Sequence, residues 1–220
     1  MTALQYAAVV LLGYVIGSIP FGLIMGKLFR GVDVRDYGSG KTGGTNVIRS
    51  VGIGAGAATM VLDVVKGGVS ALIAWLVLRS HAAEGAAALA AMVGHNWPLY
   101  AGFRGGRGVG PYIGGMMVMY PPVGVVCGPV IGFGIAGLTR YMSLGSICVA
   151  TSSFLVMLAL AIAGEQPVEY AVYAGVGGGL ILFCHRDNIH RLCAGTERKL
   201  GERAEKTEEK SPLQAKDKGV

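Results

Sequence analysis

From Leu4 to Ile24 the chain runs without a charged residue, about the 20 residues that the hydrocarbon core of a bilayer requires of a helix. Apolar runs recur from Ala55 to Leu78, with Asp63 and Lys66 inside it, and from Gly85 to Tyr100, Ile147 to Ala163 and Tyr170 to Cys184. Between them lies an apolar run from Val109 to Leu138, interrupted by Pro121 and Pro122, which fits two short helices better than one long one. Seven apolar helices result. The expected fold is therefore all-α, a polytopic membrane helix bundle of about seven transmembrane helices. Composition agrees. Charged residues make up 15% of the chain, against about 25% in soluble domains. Thirty-seven glycines suit close helix–helix approach in lipid. The N-terminus has no basic region ahead of its apolar run and no small-residue cleavage site after it, so the first stretch reads as a retained span. One compact domain is expected over 1–203, followed by a charged tail over 204–220 whose mixed signs, Ser, Pro and Gln suit disorder.

The cations set the orientation. Lys27, Arg30, Arg35, Lys41, Arg49, Arg104, Arg107 and Arg140 fall on one side of such a bundle, together with the segment after Cys184, and Arg79 falls on the other. The positive-inside rule then puts the N-terminus outside and the C-terminus in the cytoplasm. The net charge of +6 is thus explained by topology rather than by nucleic acid. Four segments converge on the cytoplasmic face: Gly38–Arg49 (GSGKTGGTNVIR), Gly94–Gly110 (GHNWPLYAGFRGGRGVG), Thr139–Ser146 (TRYMSLGS) and the stretch from His185.

Those segments carry glycines, cations and neutral polar groups, with few acids. Lys41, Arg49, Arg104, Arg107 and Arg140 are joined by Ser39, Thr42, Thr45, Asn46, Ser143 and Asn188. Glycine lets a backbone approach a ligand closely, and arginine suits bidentate phosphate recognition, so the expected site binds anions. Gly38 and Gly40 flank Ser39 in the first segment; Gly105, Gly106 and Gly108 surround Arg107 in the second. Lys27 and Arg30 read as headgroup anchors. Nucleotide motifs do not fit. A Walker A loop would need a glycine where Arg35 stands, and the G-x-G-x-x-G formed by Gly38, Gly40 and Gly43 lacks the buried strand that the dinucleotide fold requires.

Asp63 and Lys66 lie three apart inside an apolar helix and can pair, either as a structural ion pair or as part of the site. His95 could be structural or catalytic. His185 and Asn188 share a face if the helix continues through them. Cys127, Cys148, Cys184 and Cys193 form no C-x-x-C, and no zinc spacing or Ser-His-Asp order is evident, so no metal is expected. No His is followed five residues later by Asp, which argues against acyltransferases that use a His–Asp dyad on thioesters.

The stretches Gly17–Gly52, Leu62–Gly67 (LDVVKG), Gly94–Gly110, Arg140–Ile147 (RYMSLGSI) and His185–Lys199 (HRDNIHRLCAGTERK) together resemble the bacterial acyl-phosphate:glycerol-3-phosphate acyltransferase family (PlsY). The resemblance implies an inner-membrane enzyme with its active site facing the cytoplasm. It would move a long-chain acyl group from acyl phosphate to the 1-hydroxyl of glycerol 3-phosphate, giving lysophosphatidate and phosphate. It implies no cofactor, metal or acyl-CoA, and no obligate protein partner or nucleic acid; the partners would be the two substrates and membrane lipid. Its site positions fall on Ser39, Thr45, Asn46, Arg49, Arg107, Ser143, His185 and Asn188, with Glu197 supporting the C-terminal segment. The chain departs from the family pattern at Lys41 (usually Asn), Gly44 (Ala), Arg104 and Arg107 (Lys), and Met142 (Ser). The phosphate of glycerol 3-phosphate would accept the hydroxyl proton, with His185 the other candidate base. The competing class is a transporter for phosphorylated metabolites, since broken helices and converging cations also make an anion pathway. Many such carriers show internal repeats, and none is visible here.

Overall fold

The computed structural model describes residues 2–202, 204 and 206. The bundle begins with α1 (Ala3–Gly17), capped by Thr2, whose hydroxyl accepts from the Gln5 amide while Gln5 returns a bond to the Thr2 amide. The apolar run expected over Leu4–Ile24 is not one straight helix. It stops at Gly17 and restarts as α2 (Phe21–Arg30), because Pro20 has no N–H to continue the ladder. Together the two reach far enough to cross a membrane. A short 3-10 turn, Val34–Asp36, leads to α3 (Gly44–Ser50). Then come α4 (Ile53–Leu78) and α5 (His81–Asn96).

The run from Val109 does break at the double proline. The helix α6 (Val109–Met119) ends there, and α7 (Pro121–Val125) opens with Pro121 at its first position, where a missing N–H costs nothing. A π-helical segment, Val126–Phe133, follows with Pro129 inside it, and α8 (Gly134–Thr139) completes the crossing. Proline cannot donate into an α ladder, and the widened i→i+5 turn accommodates it. Last come α9 (Met142–Ile162), α10 (Val168–Cys184) and α11 (Arg186–Cys193), the last two meeting at a 61° bend. Among the described residues, four helical runs are long and apolar enough to cross a membrane, or five if the bent pair counts as one; α5 and α6 are shorter.

Small residues let the helices meet. On α1, Gly13 and Gly17 lie against the backbone of Ala87 and Ala91 in α5. On α6, Gly110 and Gly114 rest on Asp63 and Val64 of α4, while Gly67 of α4 lies against the backbone of Pro111. In lipid such packing replaces the hydrophobic drive, because lipid tails are as apolar as leucine. The interior core holds Tyr112 stacked on Tyr173, ring centroids 5.4 Å apart, and each hydroxyl donates to a backbone carbonyl across the helix pair. The outer surface is apolar: Leu11, Val61, Val65, Leu76, Leu155, Ile162 and Val172 are all exposed. So continuous an apolar belt suits lipid, not water.

The α4–α6 contact is the most extensive between two helices. Gly67→Val would drive a branched side chain into the Pro111 backbone. Overpacking of this kind costs about 1–3 kcal/mol, so melting in detergent is expected to shift down by several degrees. An unchanged Tm would show that the two backbones do not meet there.

Candidate active site

The site is built at the end of the bundle where α3, the 102–108 loop, the start of α9 and the α10–α11 bend converge. Asn46, 2% exposed, organises the first loop. Its Nδ2 donates to the carbonyls of Val34 (2.8 Å), Lys41 (2.9 Å) and Tyr37 (3.1 Å), and its Oδ1 accepts from the Ser39 amide at 3.1 Å. This folds Tyr37–Lys41 back over α3, with Gly38 and Gly40 at positive φ (58° and 66°), where a Cβ would be strained. The amides of Ser39, Gly40 and Thr42 thereby find acceptors within the protein, on Asn46, Tyr37 and Gly105. At these positions the loop offers side chains, rather than backbone N–H groups, to a ligand.

The second loop is pinned to the end of α5. Gly105 N–H donates to the Asn96 carbonyl (3.2 Å) and Gly106 N–H to the His95 carbonyl (3.0 Å). Arg107 follows directly, partly buried and aimed into the same cavity as Ser39 and Arg49.

At the α10–α11 bend, beyond the end of the α10 span, His185 is 3% exposed. Its Nδ1 lies 2.8 Å from the Ile181 carbonyl. A carbonyl only accepts, so Nδ1 carries the proton and Nε2 keeps its lone pair. Burial, then the Arg107 charge, lowers the pKa of His185 to about 4, so the ring is neutral near pH 7. Glu197 gathers three donors: Asn188 Nδ2 (2.7 Å) and the Ser143 hydroxyl (3.0 Å) on Oε1, and Arg191 Nε (2.7 Å) on Oε2. Burial opposes its charge, but the bonds from Asn188, Arg191 and Ser143 outweigh it and hold the pKa below the usual carboxylate value.

Arg49 and Arg107 each keep an unsatisfied donor. Nε of each is buried and has no partner among the described residues. Burial is the largest influence on both and lowers both pKa values; like charges (Arg198 and Arg191) push the same way, and Glu197 opposes them. Arginine nevertheless stays cationic. Two half-buried cations with orphan N–H groups are costly until an anion arrives. Arg49 also donates through Nη2 to the carbonyls of Arg198 (3.1 Å) and Lys199 (3.3 Å), and its own carbonyl accepts from Ala204 N–H. Arg140 clamps the same strap at Leu200. Ala204 and Lys206, which pairs with Tyr37, therefore lie against the site; the rest of the tail expected over 204–220 is outside the described residues.

These groups share one cavity of about 190 Å³. Its polar end is lined by Ser39, Lys41, Thr45, Asn46, Arg49, Gly106, Arg107, Ser143, His185, Asn188 and Glu197. Of the other candidates, Arg104 is exposed and not on the cavity, Arg140 serves the strap, and Gly38, Gly40, Gly105 and Gly108 shape the loops from behind. Sequence reading left Asp63 and His95 undecided, and both prove to line the cavity. Asp63 Oδ1 is 2.8 Å from Lys66 Nζ and 3.3 Å from His95 Nδ1. The signal was the LDVVKG spacing and the histidine opening GHNWP. The residues of the apolar half, from Met60 and Val64 through Val109, Ile113 and Met117 to Pro129, Phe133 and Val149, were not singled out from the sequence. It continues between α4, α6, α9 and the π-helical segment, so the cavity suits a polar head joined to an apolar chain. Among the described residues no group of three His, Cys, Asp or Glu could hold a metal.

The sequence model of the family described as "Glycerol-3-phosphate acyltransferase" matches residues 7–195. A "Glycerol-3-phosphate acyltransferase 3" of Dehalococcoides mccartyi is 41% identical, covering 89% of this chain and 96% of its own length. A "Glycerol-3-phosphate acyltransferase" of Thermus thermophilus is 40% identical over 195 residues, 89% of this chain and 95% of its own. Two solved structures superpose: PlsY, an integral membrane glycerol 3-phosphate acyltransferase, in its glycerol 3-phosphate form (TM-score 0.81) and in its lysophosphatidic acid form (0.79). Each is 38% identical and covers 89% of this chain, and this chain covers 96% and 95% of them.

Proposed function

The chain belongs to the glycerol-3-phosphate acyltransferase family and is an integral membrane enzyme that acylates glycerol 3-phosphate, and from that premise we propose that its donor is a long-chain acyl phosphate and that both substrates meet in the amphipathic cavity. The carrying observation is the pair of half-buried arginines, each with an orphan N–H, at the head of an apolar slot. Arg49 and Arg107 take the phosphate of glycerol 3-phosphate. The free Oδ1 of Asn188 accepts from a glycerol hydroxyl. Asn46 acts one step back, by building the loop that presents Ser39 to the phosphate of the donor. The acyl chain runs along Val109, Ile113 and Phe133 toward the bilayer.

The glycerol 1-oxygen attacks the acyl carbonyl carbon, the C–O bond to phosphate breaks, and the products are lysophosphatidate and inorganic phosphate. An acyl phosphate arrives activated, so the protein needs only to position the reactants and stabilise the developing oxyanion. The hydroxyl proton passes to a phosphate oxygen of glycerol 3-phosphate, while burial and the Arg107 charge lower the pKa of His185 to about 4 and make it a weak base. His185 Nε2 instead receives a hydrogen bond from the substrate.

Seven crossings suit this chain if α5 and α6 count as short ones: α1–α2, α4, α5, α6, α7–α8, α9 and α10. The four site-forming connections then share one end, and by the positive-inside rule their cations favour the cytoplasmic side of a bacterial inner membrane. Residues 1–203 form the catalytic unit.

The test is purified protein in lipid with glycerol 3-phosphate and either palmitoyl phosphate or palmitoyl-CoA, following phosphate and lysophosphatidate together. Equal formation of both products from palmitoyl phosphate, and none from palmitoyl-CoA, is expected. Lysophosphatidate from palmitoyl-CoA alone would overturn the donor assignment.

A further inference from the structure

Among the described residues, the Lys66–Asp63–His95 line is a buried charged cluster at the cavity for which the proposed chemistry has no use. Lys66 Nζ lies 3.0 Å from the Ile19 carbonyl and 2.8 Å from Asp63 Oδ1, which stands 3.3 Å from His95 Nδ1. Asp63 and Lys66 are 4% and 3% exposed, and His95 is 6% exposed. A buried ion pair costs desolvation and is weak evidence for stability, so what it holds in place matters. It places the Asp63 carboxylate 3.3 Å from the imidazole of His95, and that ring is packed directly beneath Gly106: a Cβ added at Gly106 would fall onto Nε2, with Cε1 and Cδ2 also within contact. The Gly106 amide is meanwhile bonded to the carbonyl of His95 itself. Gly106 is therefore fixed from two directions by one residue, and the next residue is Arg107.

The geometry points to His95 as a positioning residue for Arg107: the Lys66–Asp63 pair orients its imidazole, and the imidazole is the platform that sets where the Gly106–Arg107 peptide, and hence the guanidinium, stands in the cavity. This rests on the reading that Arg107 grips the phosphate of glycerol 3-phosphate. Arg107 reaches the ligand through a long side chain hinged at that peptide. A misplacement of 1 Å in such a group costs about 10²-fold in rate.

The test is a double-mutant cycle read in kcat/KM for glycerol 3-phosphate. His95→Asn keeps a donor for Asp63 but removes the ring from beneath Gly106. It is expected to lower kcat/KM by about 10- to 100-fold, mostly through KM for glycerol 3-phosphate, with KM for palmitoyl phosphate within about 2-fold of wild type. In an Arg107→Lys background, where the fork is already gone, the same change should cost under about 2-fold; in an Asn188→Ala background it should cost its full factor. A merely structural role would multiply equally into both. Gly106→Ala, which lifts the loop off an intact ring, should reproduce the KM signature and decides the matter if His95→Asn fails to fold. Equal factors in the two backgrounds, or a Gly106→Ala enzyme with unchanged KM for glycerol 3-phosphate, would overturn the inference while leaving acyl transfer established. A wild-type protein that forms no lysophosphatidate from either donor would remove the functional reading, and this inference with it.

Discussion

Glu197→Ala is expected to lower kcat/KM by about 10²–10³-fold and to loosen the whole C-terminal segment. The carboxylate is the common acceptor of Asn188, Ser143 and Arg191, its side chain is 5% exposed, and two of those three donors line the cavity. Arg191 is 34% exposed and regains water, but Asn188 and Ser143 are buried, and each buried donor left without its acceptor costs about 1–3 kcal/mol. Here Asn188 would lose the bond that aims it, and the strap whose Arg198 and Lys199 carbonyls hold Arg49 would come free of its anchor. Glu197→Gln keeps an acceptor but loses the charge, so activity and Tm should both rank Glu, Gln, Ala. A glutamine variant as active as the wild type would show that the charge is irrelevant.

The depressed pKa of Glu197 gives this a pH signature. A carboxyl whose pKa is lower folded than unfolded contributes stability that is complete above the unfolded value, about 4.3. That stability is lost as pH falls through the folded value. Wild-type Tm should therefore decline below about pH 4.3 more steeply than that of Glu197→Gln, and the two curves should run parallel between pH 6 and 8.

Asn46→Asp is the second large effect. The change is one atom, yet it turns a donor facing three carbonyls into a carboxylate oxygen facing the same three. The site is buried, so no water screens the repulsion. Each unsatisfied buried group costs about 1–3 kcal/mol, and the total is expected to reach about 3–5 kcal/mol. Protonation of the new carboxyl would relieve only one contact. Loss of activity with a markedly lower Tm is expected, and Asn46→Ala should be milder because it orphans the same carbonyls without adding charge. Equal Tm values for the two variants would show that the loop is not held through Nδ2.

Much of this was legible in the sequence because it depends on local spacing. Helix rise and period are fixed, so a 20-residue apolar run announces a crossing, and Pro121 and Pro122 announce a break. Pro20 was equally visible, but only the structure showed that it divides α1 from α2 within one crossing. Pro129 gave a weaker signal still: a proline within an apolar run does not say that its turn will open into a π-helix and widen a slot.

By itself, the sequence determined the helical class, the gathering of cations at one end and the residue types that would meet there, since glycine, arginine and asparagine carry their chemistry with them. Tertiary structure decided what each group does with its hydrogen bonds. Asn46 was a candidate substrate contact until its side chain was seen bonded to four backbone groups of its own loop. Arg104 and Arg107 are three residues apart in one glycine-rich run, yet one faces outward and the other enters the cavity. Asp63 and His95 became part of the wall only because α4 and α5 pack side by side. Arg49 meets carbonyls 149 and 150 residues away. Such pairings are fixed by helix packing, in which distant segments compete for the same few buried positions, and no local period in the chain encodes which of them wins.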